Sequence, residues 1–179
     1  MNMFMSLIKR WRMGITAILA AWITPLAGGT AEFGLVDLDG RWQGTGSERA
    51  SPMESAQQIT CQSTIQADVT RMINDTTCTG DAGLRRVSTL MVALDGNDIT
   101  GTLDQSTWTG GTSASPRVLK GSVSGRRTED GAAFQVRFPG LMPNATVTFK
   151  VLNPSSFSVQ AAALGIQMMQ ATYNKVGKH

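Results

Sequence analysis

Residues 59–70 alternate between apolar and polar in a two-residue period. Ile59, Cys61, Ile65, Ala67 and Val69 fall on one side and Thr60, Gln62, Thr64, Gln66, Asp68 and Thr70 on the other, with Ser63 the one exception. An α-helix has no such period, so the segment is predicted to be a half-buried strand. Residues 38–46, read as LDGRWQGTG, alternate the same way. Trp42, Gly44 and Gly46 share one face there, while Arg41, Gln43 and Thr45 share the other. This predicts a first strand with one large ring at the base of a core and two glycines where neighbouring backbone can approach closely.

The period continues along the chain. Residues 32–37 read as a loose lead-in and residues 50–57 as a connection. Asn74-Asp75 is the expected turn before a strand holding Cys78, although a turn there would set Cys78 opposite Arg71 rather than Cys61. Opposition of the two cysteines needs a turn centred near residues 69–70 instead. Residues 85–94 become apolar on both faces, and Asp95-Gly96-Asn97-Asp98 is a strong turn signal. Strands follow at 99–108, 118–126 and 132–138, with a loop at 110–116. Phe134, Val136 and Phe138 share one face, as do Ala145, Val147, Phe149 and Val151, and then Phe157, Val159 and Ala161. Residues 161–169 also fit a helical stripe (Ala162, Ala163, Ile166, Met169), so a short helix before a last strand at 170–176 stands as an alternative to continuous strand. Nine or ten short strands with regular turn signals and no repeat predict an all-β, antiparallel barrel, of lipocalin-like type with about 8–10 strands.

The amino terminus changes the charge balance. Residues 1–12 carry Lys9, Arg10 and Arg12 and no acid, and residues 14–23 (GITAILAAWI) are apolar, ahead of Pro25 and a run of small residues. This is the layout of a signal peptide, and its apolar block falls short of the roughly 20 residues of a transmembrane helix. Cleavage is expected after Ala31, which divides the chain into a leader at 1–31 and one barrel domain at 32–179; an uncleaved anchor is the alternative. No cysteine follows the leader to take a lipid, and Trp11 separates Arg10 from Arg12, which argues against the twin-arginine route. The whole chain has a formal net charge of +3. All of that excess lies in the leader, and residues 32–179 hold equal numbers of acids and bases. Electrostatic binding to nucleic acid therefore loses its support. A periplasmic or secreted bacterial protein is the expected setting, with no membrane span once the leader is removed.

Two cysteines, Cys61 and Cys78, lie in the exported part, with no histidine near and no CxxC spacing. One disulfide is expected rather than a metal site or a redox pair. The single histidine, His179, is the last residue, so a Ser/His/Asp or Cys/His device is not expected. The carboxylate pairs Asp37/Asp39, Asp95/Asp98 and Glu129/Asp130 fall in turn-like stretches, where they read as turn residues rather than as a glycosidase dyad. Neither catalysis nor a cofactor is expected.

Residues 38–42 (Leu-Asp-Gly-Arg-Trp) resemble the opening strand of lipocalin-like (calycin) barrels, where a Gly-x-Trp element closes the base. More broadly, Gly40-Arg41-Trp42-Gln43-Gly44-Thr45-Gly46, the Cys61/Cys78 pair, residues 97–108 and Gly121-Ser122-Val123-Ser124-Gly125-Arg126 resemble small exported alphaproteobacterial proteins of uncharacterised function. A third resemblance is to barrel-type bacterial protease inhibitors, and it implies a role for residues 32–38 as an inserted trunk. Taken with these resemblances, the reading is a non-enzymatic cell-envelope binding protein holding a small hydrophobic ligand or engaging an envelope protein. The alternative is an interaction module that acts through its N-terminal segment or rim loops. Trp42, Trp108, Phe134 and Phe149 are the candidate lining of a pocket, with Arg126, Arg137 or Tyr173 as polar anchors.

Overall fold

The alternation is realised as ten strands in a computed structural model that describes residues 34–110 and 115–177. They are β1 (Gly40–Glu48), β2 (Gln57–Ala67), β3 (Arg71–Gly80), β4 (Arg85–Asp95), β5 (Asp98–Trp108), β6 (Arg117–Thr128), β7 (Gly131–Arg137), β8 (Ala145–Asn153), β9 (Ser156–Ala163) and β10 (Ile166–Lys175). Each pairs antiparallel with the next, and β10 pairs with β1, so the sheet closes into one all-β barrel. The expected leader lies outside the described residues.

An antiparallel meander sorts its connections onto two ends. The lower rim carries the β2–β3, β4–β5, β6–β7 and β8–β9 turns. The upper rim carries the β1–β2, β3–β4, β5–β6, β7–β8 and β9–β10 connections. Inward positions are mainly apolar, including Trp42, Ile65, Val123, Val136 and Phe157, all buried. Outward positions such as Gln62, Thr64, Ser124, Gln135 and Thr148 are polar and exposed. The lipid-spanning barrel has the reverse arrangement, so this wall faces water.

The β2–β3 turn lies earlier than Asn74-Asp75. Asp68 accepts the backbone N–H groups of Thr70 (2.7 Å) and Arg71 (2.8 Å), which shapes residues 68–70 into the reversal. Those bonds also hold its carboxyl below the usual range. Asn74 and Asp75 are therefore strand residues, and Cys61 pairs directly with Cys78. The two form a disulfide across neighbouring strands, 17 residues apart in sequence. Replacing both cysteines by alanine is expected to cost about 3 kcal/mol, read as a lower urea midpoint; an unchanged midpoint would mean the reduced unfolded chain is no freer. Ser63, the exception in β2, faces inward and donates to Asn74 Oδ1 at 2.5 Å.

No helix forms at residues 161–169. Ala161 and Ala163 belong to β9, Ile166 and Met169 to β10, and a two-residue reversal joins them at Leu164 (φ 53°) and Gly165 (φ 75°). Cross-strand pairing of Ala161 with Val147 and Met169 outweighs the helical spacing.

A 3₁₀ turn at Leu35–Leu38 closes the lower rim. Leu38 is buried, and its carbonyl accepts the Trp42 indole N–H at 2.8 Å. Asp39 accepts the Ala67 N–H at 3.1 Å, and Lys175 Nζ donates to the Asp37 carbonyl at 3.2 Å.

Candidate functional site

The lower half of the interior is incompletely filled. A cavity of about 100 Å³ lies between β2–β9 and the 3₁₀ turn, walled by Leu90, Val92, Phe134, Val147, Phe149 and Val159 and roofed by Leu35 and Leu38. Two polar side chains reach it, Asn74 and Arg127. Thr76 Oγ1 lies 3.0 Å from Asn74 Oδ1, which extends the Ser63 contact into a small polar cluster on one wall. Ligand pockets for drug-sized molecules measure about 300–1,000 Å³, while an apolar cavity of about 150 Å³ takes up benzene. This chamber therefore suits a ligand of only a few heavy atoms.

Beside the cavity the aromatics are packed against one another. The Phe157 ring lies 4.7 Å from Trp42, 4.7 Å from Phe149 and 4.8 Å from Tyr173, stacked on the last. Burial pushes the Tyr173 hydroxyl up to about 12, an effect reduced by Arg86 and increased by Glu48. It stays protonated at neutral pH and serves as a core residue.

Of the candidate lining residues, Phe134 and Phe149 wall the cavity, while Trp42 and Tyr173 belong to the packed cluster. Trp108 and Arg126 do not line the interior. Trp108 faces outward near the upper rim, under the Arg85 guanidinium at 4.8 Å. Arg126 faces outward at the lower rim, 3.2 Å from Asp98. The reason is parity. Val123 points inward, so Gly125 and Arg127 share its face and Arg126 takes the other. Arg137 is also outward, in an open hollow of about 500 Å³ with Lys120 and Asp104, which are themselves paired at 3.5 Å. Sequence reasoning missed Arg127, although the inward setting of Val123 would have identified it.

Of the turn carboxylates, Asp39, Asp98 and Asp130 have structural partners. Asp130 pairs with Lys150 at 2.7 Å, which lowers its titration range, Asp98 with Arg126, and Asp39 with the Ala67 N–H. Among the described residues no three of His, Cys, Asp and Glu converge on a point where a metal ion could sit.

At the other end of the interior, Arg86 meets Glu48 at 2.9 Å, both almost wholly buried. Arg86 also lies 3.1 Å from Met169 Sδ and 3.3 Å from Cys78 Sγ. Glu48 Oε2 and Arg86 Nε are buried without a hydrogen-bond partner. Burial raises the Glu48 carboxyl, against the opposing pull of Arg86. The pair lines neither of the two hollows described above.

Compared with known protein families and with curated proteins, the chain matches none.

Proposed function

We propose that the protein is a non-enzymatic, exported cell-envelope binding protein of lipocalin-like type that holds a small apolar ligand in the lower half of its barrel. The observation that carries this reading is the roofed chamber, apolar on most sides, with Asn74 and Arg127 as its polar groups. Its size narrows the guest to something near a single ring or a short branched chain. The resemblance to exported alphaproteobacterial proteins and the disulfide agree with an oxidising compartment outside the cytoplasm.

Native mass spectrometry of protein purified from its host is expected to show a small added mass, and benzene is expected to raise the melting temperature. Val159→Phe, which fills the chamber, should remove both effects while leaving the fold intact. A benzene shift that persists in the Val159→Phe variant, or no shift in either protein, would overturn the reading.

A second reading, an interaction module, is favoured at the upper rim rather than at residues 32–38. Leu38 is buried under the barrel and so is already engaged, whereas Leu141 and Leu164 at the upper rim stand in solvent.

A further inference from the structure

The upper rim carries the most exposed apolar side chains of the described residues, although Val69, Val36 and Leu152 are also exposed toward the lower end. Leu141 in the β7–β8 connection is fully exposed, Met53 in the β1–β2 connection is 94% exposed and Leu164 at the β9–β10 reversal 72%. Val118 and Ile166 add to them at the same end. Leu164 is the one non-glycine residue with positive φ among the described residues. A two-residue reversal of this kind ordinarily takes Asn or Gly, and a left-handed leucine there is strained. It accepts that strain while standing mostly in solvent, which points to a partner outside the chain.

Charge gives the partner its chemistry. Arg49, Arg85, Arg117, Lys120 and Arg137 stand at or just below the upper rim, against Glu54, Asp81 and Asp104. Trp108 lies at the same level on the outer wall, half-buried beneath Arg85. Apolar tips with a tryptophan and a basic belt behind them match the layers of an anionic bilayer, in the order acyl boundary, headgroup and phosphate. The lower rim is close to balanced, its turn carboxylates interleaved with Arg41, Arg71, Arg126, Arg127, Lys150 and Lys175. That end offers an anionic surface no net attraction. The wall between the rims is mainly polar, with Ile73 and Met91 as an exposed cross-strand pair, so end-on contact presents the larger apolar tips.

We propose that the barrel docks onto anionic lipid bilayers through its upper rim, with Leu141, Leu164 and Met53 inserted and the basic belt at the phosphates. The proposal uses neither the interior chamber nor its ligand.

The test is flotation of the full chain with phosphatidylcholine vesicles, with and without phosphatidylglycerol. Binding is expected to favour the anionic vesicles and to weaken with salt. Leu141→Ser and Leu164→Asn should each lower the partition coefficient about tenfold, whereas Val69→Ser at the lower rim should leave it unchanged. Because Asn accepts the left-handed conformation, Leu164→Asn should melt at or above the parent temperature, which separates lost binding from lost fold. Leu141→Trp should gain emission that brominated acyl chains quench, and Val69→Trp should not. That contrast separates rim insertion from any lipid binding by residues 1–33. Equal quenching at both positions, or partition indifferent to Leu141→Ser and Leu164→Asn, would overturn the proposal. Failure to float, with the same variants shedding a co-purifying protein, would also overturn it and assign the tips to a protein partner.

Discussion

Gly46→Val is expected to cost more than about 4 kcal/mol, enough to leave little folded protein. Gly46 faces inward on β1, opposite Ala171 of β10 and Ile59 of β2. A Cβ there would overlap the Gln170 carbonyl oxygen and lie 2.6 Å from the Ala171 Cα. Both obstacles are backbone, so no rotamer change relieves them, and the seam that closes the barrel would have to part. Two residues earlier, a Cβ on Gly44 would meet the Tyr173 ring at 2.7 Å. The two glycines thus admit first the ring and then the backbone of β10. Circular dichroism and chemical denaturation check the prediction, with Gly177→Ala, whose added Cβ meets nothing, as the neutral control. A Gly46→Val protein melting near the parent would refute this account of the seam.

Arg86→Met is expected to destabilise by about 3–5 kcal/mol, because Glu48 would be left buried and unpaired. Changing Glu48→Met in addition should recover most or all of that loss, since Glu48 Oε2 and Arg86 Nε lack partners even in the parent protein. The pH dependence follows from the direction of the Glu48 shift. Burial raises its carboxyl above the ordinary carboxylate range, so the folded state holds the proton more tightly than the unfolded chain. The associated stability is full below the unfolded value, declines as pH rises toward the folded one, and levels off beyond it. Without Arg86 the upward shift grows. Arg86→Met should therefore be less destabilised in mildly acidic buffer than at neutral pH, and the double variant should lose this dependence. Urea midpoints across that range decide it; a single variant whose deficit is flat with pH would mean that Glu48 has found water.

Much of the architecture was legible because inward and outward positions differ so sharply in polarity. Ile59 through Ala67 announced β2, and the Gly44/Gly46 pair announced a close approach that β10 supplies. Three features were not legible, for separate reasons. Asp68 makes the β2–β3 turn with its own carboxylate, a device weaker in sequence than the Asn74-Asp75 pair that looks like a turn and is strand. Arg126 and Arg127 are chemically alike, so only the parity fixed by Val123 tells which one enters the barrel. The β9–β10 reversal carries Leu164 where a turn residue is ordinary, and the flanking alanines suit either period. Within the site, the aromatics were visible as a set. Their division into cavity wall, packed cluster and outer surface depends on register across neighbouring strands, which no local pattern encodes.

Nine of the ten strand interfaces join neighbours along the chain, and β1 with β10 is the exception. Hairpins can therefore zip up one after another at small entropic cost, whereas the last junction must bring together residues from opposite ends of the domain. Folding of such a ribbon finishes with a single long-range ring closure, and the native molecule keeps one line along which it could unlatch sideways without melting any hairpin.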